Sequence, residues 1–156
     1  MLRDELLMMK LGWREWAGLP LLGISKIKAK IDTGAKTSAI HTEKIEVFYD
    51  SKGRLKVRFV VLPLQNKSKR KTCEAEVVDR RIVSDSGGHR ELRWVIQTPV
   101  KIGDRMWPIE LTLTNREKMR FRMLLGRSAL KHCQIFPSKS YLCGQRSKKL
   151  KNRKFV

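Results

Sequence analysis

Apolar and basic residues alternate over residues 19–31, and this alternation limits the fold more than any other feature of the chain. After Gly23, the apolar positions Ile27, Ala29 and Ile31 are separated by lysines. A period of two, with β-branched residues on the apolar side, predicts a strand that buries one face.

Two longer segments have the pattern of β-hairpins. In residues 44–64, two β-rich runs flank a turn cluster at residues 50–53, whose glycine allows a positive φ. In residues 73–102, the turn is predicted at Gly87 and Gly88. Residues 106–115 alternate again and predict a further strand.

The C-terminal part of the chain contains a short apolar run at residues 121–126, followed by helix formers for about two turns at residues 127–133. We therefore predict an all-β, barrel-like domain with one short helix near its C-terminus. The domain is assigned to residues 19–144. Residues 1–18 are predicted to be an N-terminal extension, and residues 145–156, with six basic residues in twelve, a basic tail without fixed structure.

The formal net charge of +20 over 156 residues predicts attraction to polyanions such as nucleic acid, anionic lipid or acidic peptide. The three cysteines have no C-x-x-C spacing, which favours a reducing compartment over a disulfide framework. No apolar run has the length of a signal peptide core or a membrane span. These features predict a cytoplasmic protein that does not associate with membranes.

The first chemical candidate is Asp32-Thr33-Gly34, which follows the alternating strand. A carboxylate at the end of a buried strand is held rigidly when the threonine hydroxyl bonds to nearby backbone and the glycine permits a turn or close approach of another chain. Ala35 keeps the surroundings small. The alternative is an ordinary turn after a strand, where Asp and Gly are common.

A second motif favours a functional Asp32 over an ordinary turn. Residues 122–133, "RMLLGRSALKHC", contain apolar residues, a glycine, an arginine and then helix formers. Together with "KIDTGAKTSAI", this segment resembles the retropepsin-like aspartic proteases, in which both motifs occur in this order. The resemblance extends from about Ile24 to Gly144. Among these proteases, the sequence is most similar to a bacterial and archaeal branch named "ATP-dependent zinc protease". Some members of this branch accompany an ATP-grasp ligase that adds glutamates to a ribosomal protein.

Neither part of that name has support in the motifs of this chain. His41, His89 and His132 are scattered, without an H-E-x-x-H motif, and no cysteines have zinc-finger spacing. The chain also has no phosphate-binding loop of the Walker type. We predict no metal and no cofactor. His41 lies close in sequence to the Asp-Thr-Gly-Ala segment, and two interpretations stay open for it: a residue near the site, or a surface or structural histidine.

The resemblance implies a mechanism in which two aspartates share one proton and activate a water molecule. The chain has one convincing Asp-Thr-Gly, so the second Asp32 would come from a symmetry-related subunit of a homodimer. Asp32 is the predicted catalytic residue. The residues predicted to support it are Thr33, Gly34, Ala35, Leu125 and Gly126.

"SDSGG" at residues 84–88 contains a second Asp-Ser-Gly, but a polar serine precedes its aspartate and the two glycines indicate a hairpin tip. By the resemblance, residues 80–95 form a flap that closes over the substrate. Ser86, Gly87 and Gly88 are then candidate substrate-binding residues. An ordinary surface hairpin is the alternative.

One position departs from the family pattern. Viral retropepsins have an aspartate after Asp-Thr-Gly-Ala that pairs with the arginine of the Gly-Arg motif, whereas this chain has Lys36. Arg127 then pairs elsewhere, or the dimer contact differs, or an anion lies between the two cations. Lys36 and Arg127 are also predicted to favour an acidic peptide or protein substrate, such as a polyglutamylated ribosomal protein.

Two other functions stay open. One is a basic β-barrel that binds RNA or the ribosome, with weak nucleic-acid contact through its tail and with base stacking on its tryptophans. These tryptophans are Trp13, Trp16, Trp94 and Trp107. The other is a retropepsin fold that has lost activity and serves as an interaction domain.

Overall fold

The structure is a computed structural model that describes residues 8–64 and 69–143. Its strands are β1 (Met9–Gly12), β2 (Arg14–Leu19), β3 (Ile24–Ile31), β4 (Ser38–His41), β5 (Glu43–Tyr49), β6 (Leu55–Val61), β7 (Lys71–Ser84), β8 (Arg90–Ile102), β9 (Arg105–Thr114), β10 (Met123–Leu125) and β11 (Cys133–Phe136). The predicted tail at residues 145–156 lies outside the described ranges. In the described ranges, helical residues occur only as 3-10 turns, none of which has the length or apolar composition to cross a bilayer.

The main sheet closes on itself. Its strand order is β2-β3-β10-β4-β9-β8-β7-β6-β5, and β2 also pairs with β8 through Gly18 and Lys101. The six strands from β2 to β8 in this order therefore form a ring, from which the other three continue outward. This architecture confirms the prediction of an all-β, retropepsin-like closed barrel.

The alternation along β3 explains how the ring encloses its core. Ile27 and Ala29 are fully buried, and Ile31 is nearly fully buried. Lys26, which precedes Ile27, and Lys30, which lies between Ala29 and Ile31, are exposed. Since successive side chains on a strand point to opposite faces, the apolar set faces the barrel interior. The predicted strand is confirmed with its burial pattern.

Both predicted hairpins are present. β5 pairs with β6 in antiparallel register, and the turn between them contains Gly53 at a φ of +76°. β7 pairs with β8 over a longer ladder, with its tip at residues 85–89 and Gly88 at a φ of +83°. A positive φ is favourable for glycine because it has no Cβ, so both turns form where the sequence predicted them.

Strand β10 brings the Gly-Arg segment next to the Asp-Thr-Gly segment. It pairs in parallel with β3, so that Leu125 lies opposite Ile31, and antiparallel with β4. Its position between these strands places residues 125–127 beside the end of β3. This arrangement positions the candidate site.

The N-terminal boundary of the domain differs from the prediction. Residues 1–18 were predicted to be an extension, but β1 pairs in parallel with β11, and β2 pairs with β3. Leu11 is fully buried in the core, and Glu15 is also fully buried. Glu15 accepts backbone hydrogen bonds inside the fold, and residues 9–18 belong to the domain.

The predicted C-terminal helix at residues 127–133 is reduced to a single 3-10 turn, Arg127–Ala129. The indole Nε1 of Trp107 donates a hydrogen bond of 3.0 Å to the carbonyl oxygen of Ala129. At Cys133 the chain already begins β11, which pairs with β1. Pairing with a distant strand therefore overrides the helical propensity of the sequence.

Candidate active site

Asp32 lies directly after β3, at the rim of the barrel. Its backbone N–H donates a 2.8 Å hydrogen bond to the carbonyl oxygen of Leu125. Its Oδ1 accepts a hydrogen bond of 3.0 Å from the N–H of Gly34. The side chain is half-buried. The carboxylate is thus fixed by its own turn while one side remains open to the groove described below.

The two sequence motifs are joined by backbone hydrogen bonds. The N–H of Arg127 donates to the carbonyl oxygen of Ala35 at 2.8 Å, and the N–H of Ser128 donates to that of Lys36 at 3.0 Å. The Oγ of Ser38 accepts a hydrogen bond of 3.1 Å from the N–H of Gly126. The segments after β3 and after β10 therefore form one connected loop pair.

Arg127 has a partner other than the aspartate of viral relatives. Its Nη1 donates a hydrogen bond of 2.9 Å to the carbonyl oxygen of Thr33. The side chain of Lys36 is exposed and lines the groove. Of the three alternatives raised by the sequence, this geometry supports the first, in which Arg127 pairs elsewhere.

The two glycines of the motifs have different surroundings. A Cβ added to the buried Gly126 would stand 2.7 Å from the carbonyl carbon and oxygen of Thr37, so only glycine fits there. A Cβ added to Gly34 would meet only the Oδ1 of Asp32, at 3.2 Å. Gly126 is required for packing within the subunit, whereas Gly34 is exposed and its close neighbour is the carboxylate of Asp32.

A groove of about 890 Å³ extends from Asp32 to the β7–β8 hairpin and the loop at residues 116–121. Eight cationic side chains and two carboxylates line it, which makes its lining strongly basic. The cations are Lys30, Lys36, Arg81, Arg93, Arg116, Lys118, Arg120 and Arg127, and the carboxylates are Asp32 and Asp85. Of these cations, the sequence analysis singled out only Lys36 and Arg127.

Asp85 is held within the hairpin tip. Its Oδ1 accepts hydrogen bonds from the N–H groups of His89 at 2.8 Å and Gly87 at 2.9 Å, and these bonds lower the pKa of its carboxyl group, the one from His89 most strongly. Its Oδ2 lies 3.7 Å from the guanidinium of Arg116. The second Asp-Ser-Gly is therefore a turn that stabilises the hairpin tip.

The three candidate residues at the tip of this hairpin separate into two groups. Ser86 lines the groove. Gly87 and Gly88 are exposed at the tip and are not among the residues that line the groove. Only Ser86 of the three is placed to contact a molecule bound there.

His41 lies behind the groove, with 1% of its side chain exposed. Its Nδ1 accepts a 3.0 Å hydrogen bond from the N–H of Arg116, the first residue of the loop at residues 116–121 that lines the groove. Burial lowers the pKa of His41, and the positive charge of Arg122 lowers it further. Of the two interpretations left open by the sequence, this geometry supports a structural histidine that holds the loop.

The described part of the chain also bears on whether side chains could hold a metal ion. Within residues 8–64 and 69–143, no group of three or more His, Cys, Asp or Glu side chains is arranged to hold a metal ion. The described residues therefore do not offer a zinc site. The absence of a cofactor stays a prediction.

Arg81 and Arg93 are groove residues that the sequence analysis did not single out. They lie opposite each other in the β7–β8 ladder. The available signal was incomplete, because a two-residue tip at Gly87 and Gly88 would place Arg81 opposite Trp94, whereas the observed register is shifted by one residue and pairs Arg81 with Arg93.

The chain is similar to several known proteins. A solved structure of a Legionella pneumophila protein, described as of unknown function, superimposes with a TM-score of 0.72 and 28% identity, covering 86% of this chain and 98% of that one. Two curated relatives are named "Probable alpha-L-glutamate ligase". The one from Shewanella pealeana is 43% identical over 138 residues, which cover 87% of this chain and 30% of the relative. The one from Desulfotalea psychrophila is 48% identical over 123 residues, which cover 77% and 26%.

This chain thus spans less than a third of the length of these relatives, and their names describe the longer proteins. A family model also matches most of this chain. The model described as "Retropepsin-like aspartic endopeptidase RimB" matches residues 10–146, which include both the Asp-Thr-Gly segment and the Gly-Arg segment. With the closed barrel and the joined loops described above, this match shows that the chain belongs to the RimB-like family of retropepsin-like aspartic endopeptidases.

Proposed function

We propose that the chain is an endopeptidase that cleaves acidic peptides with a water molecule held between the Asp32 carboxyl groups of two subunits. The observation that carries this proposal is the placement of Asp32, held by Leu125 and Gly34 at the edge of a basic groove. Membership of the aspartic endopeptidase family supports the type of chemistry.

The chemistry of such a pair needs no other catalyst. Two carboxyl groups in contact share one proton, because two negative charges at that distance cannot both form at low cost. The ionised group takes a proton from water, and the protonated group donates to the oxygen of the scissile carbonyl. The resulting tetrahedral intermediate collapses to a carboxyl group and an amine, and the amine nitrogen takes up the proton removed from the water.

The second carboxyl group is proposed to come from a partner subunit. The other carboxylate lining the groove, Asp85, is engaged in the turn with His89 and with Arg116. In contrast, Gly34 beside Asp32 is exposed, and the absence of a side chain there would let a second chain approach the Asp32 carboxylate closely. A two-fold axis at this place would bring the two Asp32 residues together.

The charge of the groove supports an acidic substrate. Cations exceed carboxylates along its lining, so a peptide rich in glutamate is attracted and a basic one is repelled. The relatives named as glutamate ligases contain a segment similar to this chain. We propose that the substrates are glutamate-rich chains such as a polyglutamylated ribosomal protein tail.

The RNA-binding alternative has less support. The indole of Trp13 packs edge-on against Phe121, and that of Trp16 stacks on Tyr141. The ring of Trp94 is covered by Arg80, and the Nε1 of Trp107 donates to the carbonyl oxygen of Ala129. All four indoles are half-buried and engaged, which limits their use as stacking surfaces for bases.

Substitution of Asp32 by Asn tests the proposal. Loss of the ionisable group is expected to lower kcat/KM on a glutamate-rich peptide by at least about 100-fold, the scale of general acid–base catalysis. Product masses report cleavage, thermal unfolding reports folding, and light scattering reports dimerisation, and the last two are expected to be unchanged. Asp104→Asn, at an exposed turn, is the matched control.

Two results would contradict the proposal. Full activity in Asp32→Asn would remove Asp32 from the mechanism. Cleavage by a protein that stays monomeric at the assay concentration would remove the shared proton between two subunits.

A further inference from the structure

Two arginines lie side by side on the groove face of the β7–β8 hairpin. Arg81 and Arg93 are direct partners in the antiparallel ladder, and both line the groove. Like charges directly opposite each other on neighbouring strands destabilise a sheet. Three carboxylates at their sides, described below, offset part of this repulsion, and the two positive charges on the groove face favour an anionic ligand there.

Arg93 is fixed in position. Only 6% of its side chain is exposed. Its Nε donates to the Oε2 of Glu91 at 2.9 Å, and its Nη1 donates to the Oγ1 of Thr112 at 3.3 Å. The Thr112 hydroxyl in turn donates to the carbonyl oxygen of Ser38 at 2.9 Å. The guanidinium is therefore held by the barrel wall itself.

Arg81 is held in a similar way by carboxylates at its sides. Its Nη2 donates to the Oδ2 of Asp79 at 2.7 Å and to the Oε2 of Glu110 at 2.8 Å. These two carboxylates and Glu91 are between 42% and 45% exposed, and none of the three is among the residues that line the groove. Water screens the carboxylates, while the two guanidiniums face the groove.

We propose that the Arg81–Arg93 pair binds a side-chain carboxylate of the peptide substrate and selects Glu over Gln at one position. This inference rests on the proposed function and names the part of the groove that reads the substrate. The hydrogen bonds that Arg93 makes to described residues use Nε and Nη1, which leaves its Nη2 for a ligand. A fixed, poorly hydrated guanidinium binds a carboxylate with a preferred geometry, whereas exposed lysines attract any anion.

The two arginines are tested with matched peptides that carry Glu or Gln at a single position. Arg81→Gln and Arg93→Gln are each expected to lower the Glu-to-Gln ratio of kcat/KM by about 10- to 100-fold, the loss of one hydrogen bond to a charged group. Arg80→Gln is the matched control, since Arg80 lies on the same strand but stacks over Trp94. Its ratio is expected to stay at the wild-type value.

Thermal unfolding of each variant separates recognition from folding. If Arg93→Gln unfolds, the test is carried by Arg93→Lys, which keeps both positive charges, and by Arg81→Gln, which leaves Arg93 unchanged. Lys provides a cation but cannot bond Glu91 and Thr112 in the manner of the guanidinium while directing a further donor into the groove, so Arg93→Lys is also expected to lower the Glu preference. An equal loss on the Glu and Gln peptides in both folded variants, or the same loss in Arg80→Gln, would overturn the inference.

A binding measurement distinguishes this inference from the proposed function. Titration calorimetry of a glutamate oligomer with the full chain carrying Asp32→Asn needs no cleavage. Adding Arg81→Gln to that chain is expected to weaken binding by about 10- to 100-fold, and adding Arg80→Gln to leave it unchanged. This result would support the arginine pair even if no peptide is hydrolysed. Equal binding by all three proteins would overturn the pair even if hydrolysis is observed.

Discussion

The buried carboxylate of Glu15 accepts a hydrogen bond of 2.8 Å from the backbone N–H of Leu142, at the opposite end of the described chain. The same carboxylate accepts hydrogen bonds from the N–H groups of Gly12 at 2.7 Å and Cys143 at 3.0 Å. Three N–H donors compensate for the loss of hydration of a fully buried charge. Glu15 therefore joins the two ends of the domain.

Glu15→Gln is expected to lower the free energy of unfolding by about 2 kcal/mol, the scale of a disturbed buried hydrogen bond to a charged group. The amide nitrogen of Gln is a donor and meets N–H groups that are also donors, so at least one bond is lost. Urea unfolding measures the effect, and Glu76→Gln at an exposed position is the control. Equal stability of both variants and the wild type would show that the carboxylate does not join the two ends.

The two motif glycines are expected to respond differently to alanine. Gly126→Ala places a Cβ against the backbone of Thr37 and is expected to cost about 3 kcal/mol or more of stability through overpacking. Gly34→Ala places its Cβ 3.2 Å from the Oδ1 of the half-buried Asp32 and not against backbone, so its thermal unfolding is expected to stay closer to that of the wild type. Dimerisation and cleavage by Gly34→Ala are expected to fall sharply if a second subunit approaches there.

Light scattering and peptide cleavage, measured beside thermal unfolding, separate these effects. A Gly34→Ala protein that dimerises and cleaves like the wild type would place the subunit contact elsewhere. A stable Gly126→Ala protein would contradict the close approach of this glycine to Thr37.

Arg127→Ala is expected to affect activity more than stability. The hydrogen bond from Arg127 to the carbonyl oxygen of Thr33 lies at the surface, so its loss is expected to cost at most about 1 kcal/mol. The same bond fixes the loop that carries Asp32, and a small displacement of a catalytic group lowers kcat by about 10-fold or more. Paired measurements of kcat and of urea unfolding, with the exposed Lys131→Ala as control, separate the two effects.

The sequence predicted features that depend on neighbouring residues. The alternation at Ile27, Ala29 and Ile31 and the glycines Gly53 and Gly88 act locally, and both the strand and the two turns formed as predicted. The joined Asp-Thr-Gly and Gly-Arg loops followed from the family resemblance.

Features that depend on distant partners could not be read from the sequence. Residues 1–18 were predicted to be an extension, because the donors that Glu15 bonds at Leu142 and Cys143 are far away in the chain. The helical propensity after Arg127 gave way to the pairing of β11 with β1. The Arg81–Arg93 pair depends on the register of a long hairpin, which a shift of a single residue would abolish.

His41 makes the stability of the fold dependent on pH. The pKa of His41 lies below its ordinary value of 6.5, chiefly because the side chain is buried and also because Arg122 repels a positive charge, while Glu43 and Glu117 act in the opposite direction. The unfolded chain therefore binds a proton at this residue at higher pH than the folded protein does. The free energy of unfolding is expected to fall as the pH drops from about 6.5 to the lower pKa of the folded state.

His41→Asn tests this dependence, because the Asn side-chain oxygen can replace Nδ1 as the acceptor for the N–H of Arg116 but does not titrate. Urea unfolding between about pH 5 and pH 8 is expected to show a smaller decrease for His41→Asn than for the wild type. His89→Asn at the exposed hairpin tip is the control and is expected to keep the wild-type decrease. Carboxylates with a lowered pKa, such as Asp85, lose their stabilising effect only as the pH falls below their ordinary value of 3.8, so they do not contribute in this range. An unchanged pH dependence in His41→Asn would assign the decrease to another group.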